Sequence, residues 1–416
     1  MSAMDHQLEK QNLFSPNPTK RRRLTRIWLV TFRVSTLVGI VALGTLLITI
    51  LNNAVGYVAT ENSIDPEMLA ANGVALQDLN KRELILVLQK HVSPGLMRRF
   101  EQDQPFEDRT KQDVYSLVLE RVVEPVVVGS WSLRESIFQK GEIEAKLAVE
   151  HPQAELAFTS WLDLDFITSP QSSIAMQAGV RTALLGTLWV IAIAILFSFP
   201  IGVGAAIYLQ EYAGDNWLQR IIQTNINNLA GVPSIIYGML GLAVFVRAME
   251  RITSGAILGV VEATTANGRT LLSAGLTLGL LILPLIIINA QEAIKAVPNR
   301  LRQASFGLGA TRWQTVWHHV LPSALPGILT GAILSISRAI GETAPLVVVG
   351  AATFITLDPT NVFSKFTTLP IQIYQWTARP QDVFRNTAAA AIIVLLALLI
   401  SLNAGAVYLR NRSSRR

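Results

Sequence analysis

Two charged side chains, Arg338 and Glu342, lie within a long apolar segment of the chain, residues 324–350. A charge at the centre of a bilayer costs roughly 2.5–3.5 kcal/mol on insertion scales, so such residues usually face a helix-bundle interior or a water-filled path. Their four-residue spacing predicts one helix face and an ion pair. A guanidinium presents five donors in a planar fork that suits a tetrahedral oxyanion. These residue types therefore predict a site that handles an anion inside the membrane.

A structural interpretation of the same residues stays open, in which Glu342 neutralises Arg338 and the pair only fixes helix packing. Thr343, Ser335 and Ser337 add hydroxyls that could reach an anion, although in membrane helices hydroxyls more often bond to a carbonyl one turn earlier. Pro345 is expected to kink the helix just beyond the pair. We take Arg338, Glu342 and Thr343 as the candidate substrate pathway.

A polar segment, residues 303–320, precedes this apolar stretch. Its apolar residues predict two short amphipathic helices with an aromatic face that the segment cannot bury by itself: Phe306, Leu308, Trp313, Val316 and Trp317. Gly309 permits a sharp turn between the two helices, and Leu321-Pro322 is expected to end the second one. This pattern predicts a helix that inserts into a groove of a soluble partner.

The elements that must position these residues are membrane-spanning helices. Half of the 416 residues are apolar and only 15% are charged, and runs of about 20 apolar residues can cross a bilayer. Six such runs are present: Val34–Leu51, Thr182–Leu209, Leu229–Val246, Leu271–Ala290, Ala324–Gly350 and Thr387–Leu409. Sixteen Lys and Arg fall on the side that holds both termini, against six in the two short opposite loops. The positive-inside rule then predicts a multi-pass membrane protein with both termini in the cytoplasm.

The predicted domains follow from these spans. Residues 1–33 form a cytoplasmic tail, 34–51 a first transmembrane helix, 52–177 an extracytoplasmic insertion, 178–409 a domain of five further helices and 410–416 a cytoplasmic tail. Capping signals ahead of apolar runs, at Asn80 with Glu83 and at Thr110 with Asp113, predict a folded insertion of mostly helical or mixed character. Pro125 is expected to end the second of these helices, and a strand is expected at 126–128. Gly275 with Gly279, and Gly327 with Gly331, predict close helix packing.

Several functional classes are excluded or disfavoured by composition. The chain contains no cysteine, which excludes disulfides and thiolate metal sites, and we expect neither a metal nor a cofactor. No GxxxxGK[ST] motif occurs, so any ATP-driven work needs a separate subunit, and we do not expect this chain to be an enzyme. The net charge of +6 is explained by topology rather than by nucleic-acid binding.

The polar segment resembles the EAA loop of ATP-binding-cassette importer permeases, in which EAA, three residues, Gly, nine residues and Ile-x-Leu-Pro follow one another. Here Gln303, Ala304 and Ser305 stand for EAA, followed by Gly309 and by Leu321-Pro322, with His319 at the Ile position. The stretches 228–238 and 338–345 are similar to those of PstA-type phosphate permeases, a likeness that extends over roughly residues 160–410. The resemblance implies an all-α fold of six transmembrane helices and an ATPase-coupling loop at 303–320. It also implies roles in phosphate translocation for Arg338 and Glu342.

The resemblance further implies a location in a bacterial inner membrane and the partners of a phosphate importer. These are a second, PstC-like permease subunit, two PstB-like ATP-binding subunits and an extracytoplasmic PstS-like phosphate-binding protein, in addition to membrane lipid. Two alternatives remain. The cargo could be another oxyanion such as sulfate or molybdate, or the chain could be a membrane-anchored sensor that acts through residues 52–177.

Overall fold

The structure is a computed structural model that describes residues 18–62, 64, 76–103, 105–107, 109–123, 125–214, 216–259, 267–352 and 354–414. The chain falls into two compact units, Met1–Leu51 and Asn52–Arg416. Each unit is described by itself.

The described part of the first unit lies in one helix, which we call span 1. This helix is Pro18–Ala54, so its last three residues belong to the second unit. Its residues Thr25–Ala54 are long and apolar enough to cross a membrane. The threonines of this span donate to the carbonyl four residues earlier, as Thr31 does to Ile27 at 3.0 Å, so their hydroxyls are satisfied without water. Residues 18–33, predicted as part of a tail, are therefore helical and continuous with the span. Residues 1–17 of that predicted tail lie outside the described residues.

The second unit holds the remaining membrane helices. Among the described residues of this unit, four helices are candidate spans. A bent pair of helices is a fifth if it is counted as one, which with span 1 makes six. Span 2 is Arg181–Ile207, extended by a π-helical turn at Tyr208–Tyr212; span 3 is Trp217–Ala230 followed by Ser234–Gly241 and a π-helical turn at Leu242–Ala248; span 4 is Leu271–Lys295; span 5 is Leu321–Gly341; and span 6 is Val383–Ser414. Shorter helices are Glu250–Thr253, Asn299–Gly307, Arg312–Thr315, Ala344–Val349 and Leu369–Thr377.

Span 4 is the centre of the transmembrane domain, and glycines let its neighbours approach. A Cβ at Gly275 would lie 2.5 Å from the side chain of Ile193, and one at Gly279 would lie 2.7 Å from that of Phe197, both on span 2. On span 5, a Cβ at Gly331 would lie 2.3 Å from the Cβ of Asn289 on span 4. The predicted close packing at both glycine pairs is confirmed, because only a missing side chain permits these distances.

Three sequence expectations about the spans are wrong in detail. The third span is not one straight helix from Leu229 to Val246, since it bends by 104° between Ala230 and Ser234. The fifth does not run to Gly350, because span 5 ends at Gly341 and a separate helix, Ala344–Val349, follows. Pro345 accordingly lies in the first turn of that separate helix instead of kinking span 5. A proline there loses no hydrogen bond, because the first N–H groups of a helix have no partner within it.

The third correction concerns Leu321-Pro322, which was expected to stop a helix. The structure instead runs on as one helical stretch from Arg312 to Gly341. A π-helical turn at Val316–Val320 lies directly ahead of the proline. Such a turn changes the local hydrogen-bond pattern, and this is how a helix accommodates a proline that lacks an N–H.

The insertion is a mixed α/β structure. Three antiparallel strands, β1 (Val55–Asn62), β2 (Pro125–Ser130) and β3 (Glu155–Ser160), form a sheet of order β2-β1-β3. Its helices are Lys81–His91, Pro94–Asp103, Lys111–Val118, Leu133–Phe138, Lys140–Glu150 and Leu164–Thr168. The two predicted capping boxes and the strand after Pro125 are confirmed. β1 and β3, and a third capping box at Ser132 and Glu135, were not predicted.

The sheet of the insertion packs directly on the transmembrane helices. Val58 of β1 shares one buried core with Trp161, with Ala183 of span 2 and with Ala390 of span 6. The helices around Leu84 and Val114 have a separate core of their own. The insertion is therefore anchored through its sheet and has a second, helical core.

Candidate functional site

The coupling segment, residues 303–320, is a helix–turn–helix. Its first helix is Asn299–Gly307, and Gly309 turns the chain with φ of 80°. The second helix starts at Arg312, where Thr311 and Gln314 form a capping box. A Cβ at Gly309 would meet open space, so the glycine is required by its backbone angle and not by crowding. The predicted turn is confirmed.

The two helices of the coupling segment are tied together by side chains that face inward. The buried hydroxyls of Ser305 and Thr315 are 2.8 Å apart and share a hydrogen bond. Val316, which the sequence assigned to the aromatic face, is buried instead. Ser305 stands where the EAA pattern has an alanine, and this hydrogen bond is a physical reason for that departure. Gln303 and Ala304 remain exposed on the first helix.

An exposed aromatic face covers the other side of the segment. Trp313 and Trp317 stack with their ring centroids 5.5 Å apart, and they are 59% and 52% exposed. Phe306 and Leu308, around the end of the first helix of the segment, are also exposed, Leu308 to 90%. Single exposed apolar residues are ordinary, but four within one short segment, two of them stacked tryptophans, are typical of a protein-interaction surface.

A pair that the sequence did not reveal anchors this segment. The guanidinium of Arg302 donates to the carboxylate of Glu211 at 2.7 Å, and both side chains are largely buried, at 15% and 11% exposed. Arg302 also donates to the carbonyls of Val297 at 2.7 Å and Ile294 at 3.0 Å. Glu211 lies in the π-helical turn at the end of span 2. The two lie 91 positions apart, and the one sequence signal was the position of Arg302 directly before Gln303.

The structure forms the predicted ion pair between Arg338 and Glu342, with Nε and Oε1 3.3 Å apart. The two residues are not on one helix, however. Arg338 lies in the last turn of span 5, and Glu342 caps its C-terminus in an extended conformation. The Arg338 side chain is 48% exposed and that of Glu342 is 17% exposed. The guanidinium is therefore accessible for another anion, while the carboxylate is held closer to the protein.

Thr343 follows at the break between the two helices. It is the N-cap residue of the Ala344–Val349 helix, and its side chain makes no capping hydrogen bond. Ser335 and Ser337 donate to the carbonyls of Gly331 and Ile333, at 2.9 and 2.8 Å. Of the three hydroxyls considered, these two are thus engaged with their own helix, as expected for serine in a membrane helix.

The helix after the break in span 5 packs against the second half of span 3. A Cβ at Gly238 would come within 2.7 Å of the Cα of Pro345. The Tyr237 hydroxyl donates to Leu229 at 2.8 Å, across the bend of span 3. Tyr237, Ala339 and Leu346 belong to one buried core. Interrupted helices inside a membrane domain are tolerated where neighbouring protein or a water-filled cavity satisfies the freed backbone groups.

Within the described parts of the chain, no group of three or more His, Cys, Asp or Glu side chains could hold a metal ion. The adjacent His318 and His319 belong to the π-helical turn before span 5. Neighbouring residues on a helix point about 100° apart. Two adjacent histidines on a helix therefore cannot easily share one metal ion.

Comparison with known proteins gives the family. Residues 198–415 match the family model described as "Binding-protein-dependent transport system inner membrane component". The probable ABC transporter permease protein YqgI of Bacillus subtilis (strain 168) is 33% identical over 261 residues, which cover 59% of this chain and 83% of the relative. The phosphate transport system permease protein PstA 1 of Mycobacterium tuberculosis (strain CDC 1551 / Oshkosh) is 33% identical over 239 residues, covering 57% and 72%.

A third relative is the phosphate transport system permease protein PstC of Xylella fastidiosa (strain 9a5c), 34% identical over 187 residues, which cover 43% of this chain and 57% of the relative. The family model extends over more than half of the chain and over spans 3 to 6 with the coupling segment between spans 4 and 5. In this family the permease spans the membrane and separate subunits hydrolyse ATP. The chain is therefore a multi-pass inner-membrane protein that belongs to the permease family of ATP-binding-cassette importers.

Proposed function

We propose that this permease carries inorganic phosphate into the cell and that Arg338 and Glu342 lie on its path. The observation that carries the proposal is the accessible guanidinium of Arg338, paired at 3.3 Å with Glu342 at the end of an interrupted membrane helix. An arginine is costly in a membrane and is retained there chiefly for transport or for a structural pair. The relatives named for phosphate transport make phosphate the first cargo to test.

The ion pair suits release as well as binding. Glu342 competes with an incoming anion for the same guanidinium, so the anion is not held by an uncompensated positive charge. A path that bound its cargo strongly would trap it, because conduction requires binding that is weak enough to leave. Thr343, with a hydroxyl at the same helix break, is a further contact in this scheme.

The coupling segment is the proposed contact with the ATPase. Its exposed aromatic face fits a groove-binding helix, and the residues of the EAA-like pattern, Gln303, Ala304, Ser305, Gly309, Leu321 and Pro322, build or follow its turn. One chain supplies one such segment. We therefore assign it a second, PstC-like permease, two PstB-like ATPases and a PstS-like binding protein as partners, with both termini in the cytoplasm.

A second candidate keeps the permease and changes the cargo to sulfate or molybdate. The planar fork of Arg338 binds any tetrahedral oxyanion and offers no selection among them. The relative YqgI, of which this chain covers 83%, is named without a cargo. The two candidates therefore differ only in which anion is moved.

Competition uptake separates them. The complete transporter is expressed in cells that lack it, and labelled phosphate uptake is measured at low external phosphate with excess unlabelled sulfate or molybdate. Phosphate uptake that unlabelled phosphate suppresses, and that neither of the other anions suppresses, supports the proposal. Uptake of labelled sulfate or molybdate with no phosphate uptake, in an assembled complex, would replace it with the second candidate.

A further inference from the structure

A cavity of about 490 Å³ opens at the end of the transmembrane domain opposite the coupling segment. Span 4 runs from one region to the other. Its N-terminus is bonded to the loop beside the cavity, through the N–H of Leu271 to Ser364 at 3.1 Å. Its C-terminus at Lys295 lies four residues before the first coupling helix, Asn299–Gly307. A helix of 25 residues is about 37 Å long, the thickness of a membrane.

Three cations line this basic cavity: Arg247, Arg269 and Lys365. Among the described residues of the lining, Glu250 is the one carboxylate, so these residues carry a net charge of two positive units. In the described part of the chain, no ion pair joins any of the three cations to a carboxylate. They are three of the six Lys and Arg in the two short loops on the side where the positive-inside rule disfavours them, so topology does not explain why they converge.

The walls that carry the cations are fixed by hydrogen bonds. The N–H of Ala352 donates to the carbonyl of Phe366 at 2.8 Å, next to Lys365. The hydroxyl of Thr270, next to Arg269, donates to the carbonyl of Thr253 at 2.8 Å. The hydroxyl of Thr253 donates in turn to the carbonyl of Phe245 at 2.8 Å, which lies in the turn that carries Arg247. Hydrogen bonds therefore hold the backbone segments that carry the three cations in place before any anion binds.

The basic cavity is connected to the Arg338–Glu342 pair by one short helix. Ala344–Val349 begins two residues after Glu342 and ends at Gly350, a lining residue of the cavity. Gly350 has φ of 108°, and a Cβ there would lie 2.5 Å from the Arg269 side chain, so the arginine packs over this glycine. Six helical residues extend about 9 Å. The cavity therefore lies about the length of this short helix from the Arg338–Glu342 pair.

We infer that the basic cavity is an entry site that binds a tetrahedral oxyanion weakly before it reaches Arg338. The inference rests on the proposed function for the choice of phosphate, but the cavity itself is argued from its own charges. A concave site lined with one sign of charge raises the local concentration of the opposite ion and speeds its arrival. Exposed cations in contact with water bind anions weakly, which suits an ion that must move on.

The absence of cysteine from the chain gives a direct probe. Ala352→Cys places a single thiol of this chain in the cavity wall, and Leu242→Cys places one on a second wall in case the first variant does not assemble. Each is tested in the complete transporter with an anionic and a cationic methanethiosulfonate reagent. We expect the anionic reagent to react about tenfold faster, after correction for a free thiol. Arg269→Gln and Lys365→Gln should each reduce this preference, whereas Arg385→Gln, an exposed arginine paired with Asp382 outside the cavity, should not.

Phosphate and sulfate should each slow the labelling more than chloride at equal ionic strength, and Arg269→Gln should abolish this protection. Equal labelling by the two reagents, or equal protection by chloride, would overturn the site. Its role in entry predicts that Arg269→Gln lowers uptake several-fold at low phosphate and little at saturating phosphate; unchanged uptake at low phosphate would overturn that role. If phosphate and sulfate protect the thiol from labelling in a transporter that moves only sulfate, the anion site in the cavity is supported. Phosphate is then rejected as the cargo.

Discussion

Arg302 and Glu211 form a bidentate ion pair, with Arg302 Nη2 and Nε 2.7 and 3.1 Å from one carboxylate oxygen and Nε 3.4 Å from the other. Glu211 belongs to the end of span 2, and Arg302 belongs to the first coupling helix. The pair thereby links a membrane helix to the segment that we propose contacts the ATPase. Because both groups are largely buried, removing one leaves the other charged without its partner.

This link predicts a coupling defect. In Arg302→Gln, ATP hydrolysis by the assembled transporter should persist, while phosphate moved per ATP falls at least about fivefold, because the coupling segment is no longer held to span 2. The matched control is Arg300→Gln, which removes an exposed charge from the same helix. Equal transport per ATP in both variants of reconstituted complex would show that the pair does not transmit motion.

The turn at Gly309 gives a second prediction. Gly309→Ala places a Cβ at φ of 80°, which costs roughly 1–2 kcal/mol for a non-glycine residue. The turn should distort and binding of the ATPase subunit should weaken about tenfold, measured by pull-down or by calorimetry. Gly307→Ala is the control, since Gly307 is helical and a Cβ there meets open space. A similar loss in both variants would contradict a role for the turn.

The contact between the two interrupted helices gives a third prediction. Gly238→Ala should disturb the site around Arg338, because its Cβ would lie 2.7 Å from the Cα of Pro345. A backbone atom, unlike the end of a side chain, cannot rotate out of the way. Thermal unfolding of the assembled transporter should shift down by several degrees, and uptake should fall. Gly204→Ala on span 2 meets nothing within 4 Å and should leave both unchanged. A wild-type melting temperature and uptake rate for Gly238→Ala would rule out the tight contact.

The insertion supplies a pH-dependent prediction outside the membrane. Hydrogen bonds from the backbone N–H and the hydroxyl of Thr110 lower the pKa of Asp113 below its ordinary value of 3.8. The carboxylate thus stabilises the helix Lys111–Val118 above the unfolded pKa, and this contribution is lost as the pH falls through the lower folded pKa. The protection factors of the amides in that helix, which correct exchange rates for the intrinsic effect of pH, should therefore fall on acidification. Asp113→Asn should show the lower protection factors already near neutral pH. The exposed Asp78, outside the capping box, is the control for replacement of a carboxylate; an equal effect of Asp78→Asn would contradict this account.

Local signals in the sequence predicted the parts of the fold that depend on local chemistry. Glu83 and Asp113, each three residues after a capping side chain, located two helix starts, and Gly309 located a turn. The break after Gly341 was missed because a residue pair at helical spacing, Arg338 and Glu342, favoured a continuous helix. Their ion pair still forms, since an extended C-cap residue can fold its side chain back to the last turn.

Long-range contacts were beyond such reasoning. The strand β1 follows span 1 without a break, and its pairing with β3 joins residues about a hundred positions apart. The contact of Arg302 with Glu211 and the convergence of Arg247, Arg269 and Lys365 depend likewise on how spans 2 to 5 pack. No periodicity or motif in a single sequence records which distant charged residues meet.

The most direct test of the account is phosphate uptake by complexes that carry changes at Arg338. Arg338→Ala, Arg338→Lys and Glu342→Gln are expressed with their partners, assembly is confirmed, and labelled phosphate uptake is followed at low external phosphate. The account predicts at least about a tenfold loss for Arg338→Ala, partial activity for Arg338→Lys, which keeps the charge without the planar fork, and impaired uptake for Glu342→Gln. Normal uptake by an assembled Arg338→Ala complex would contradict a place for this residue on the path.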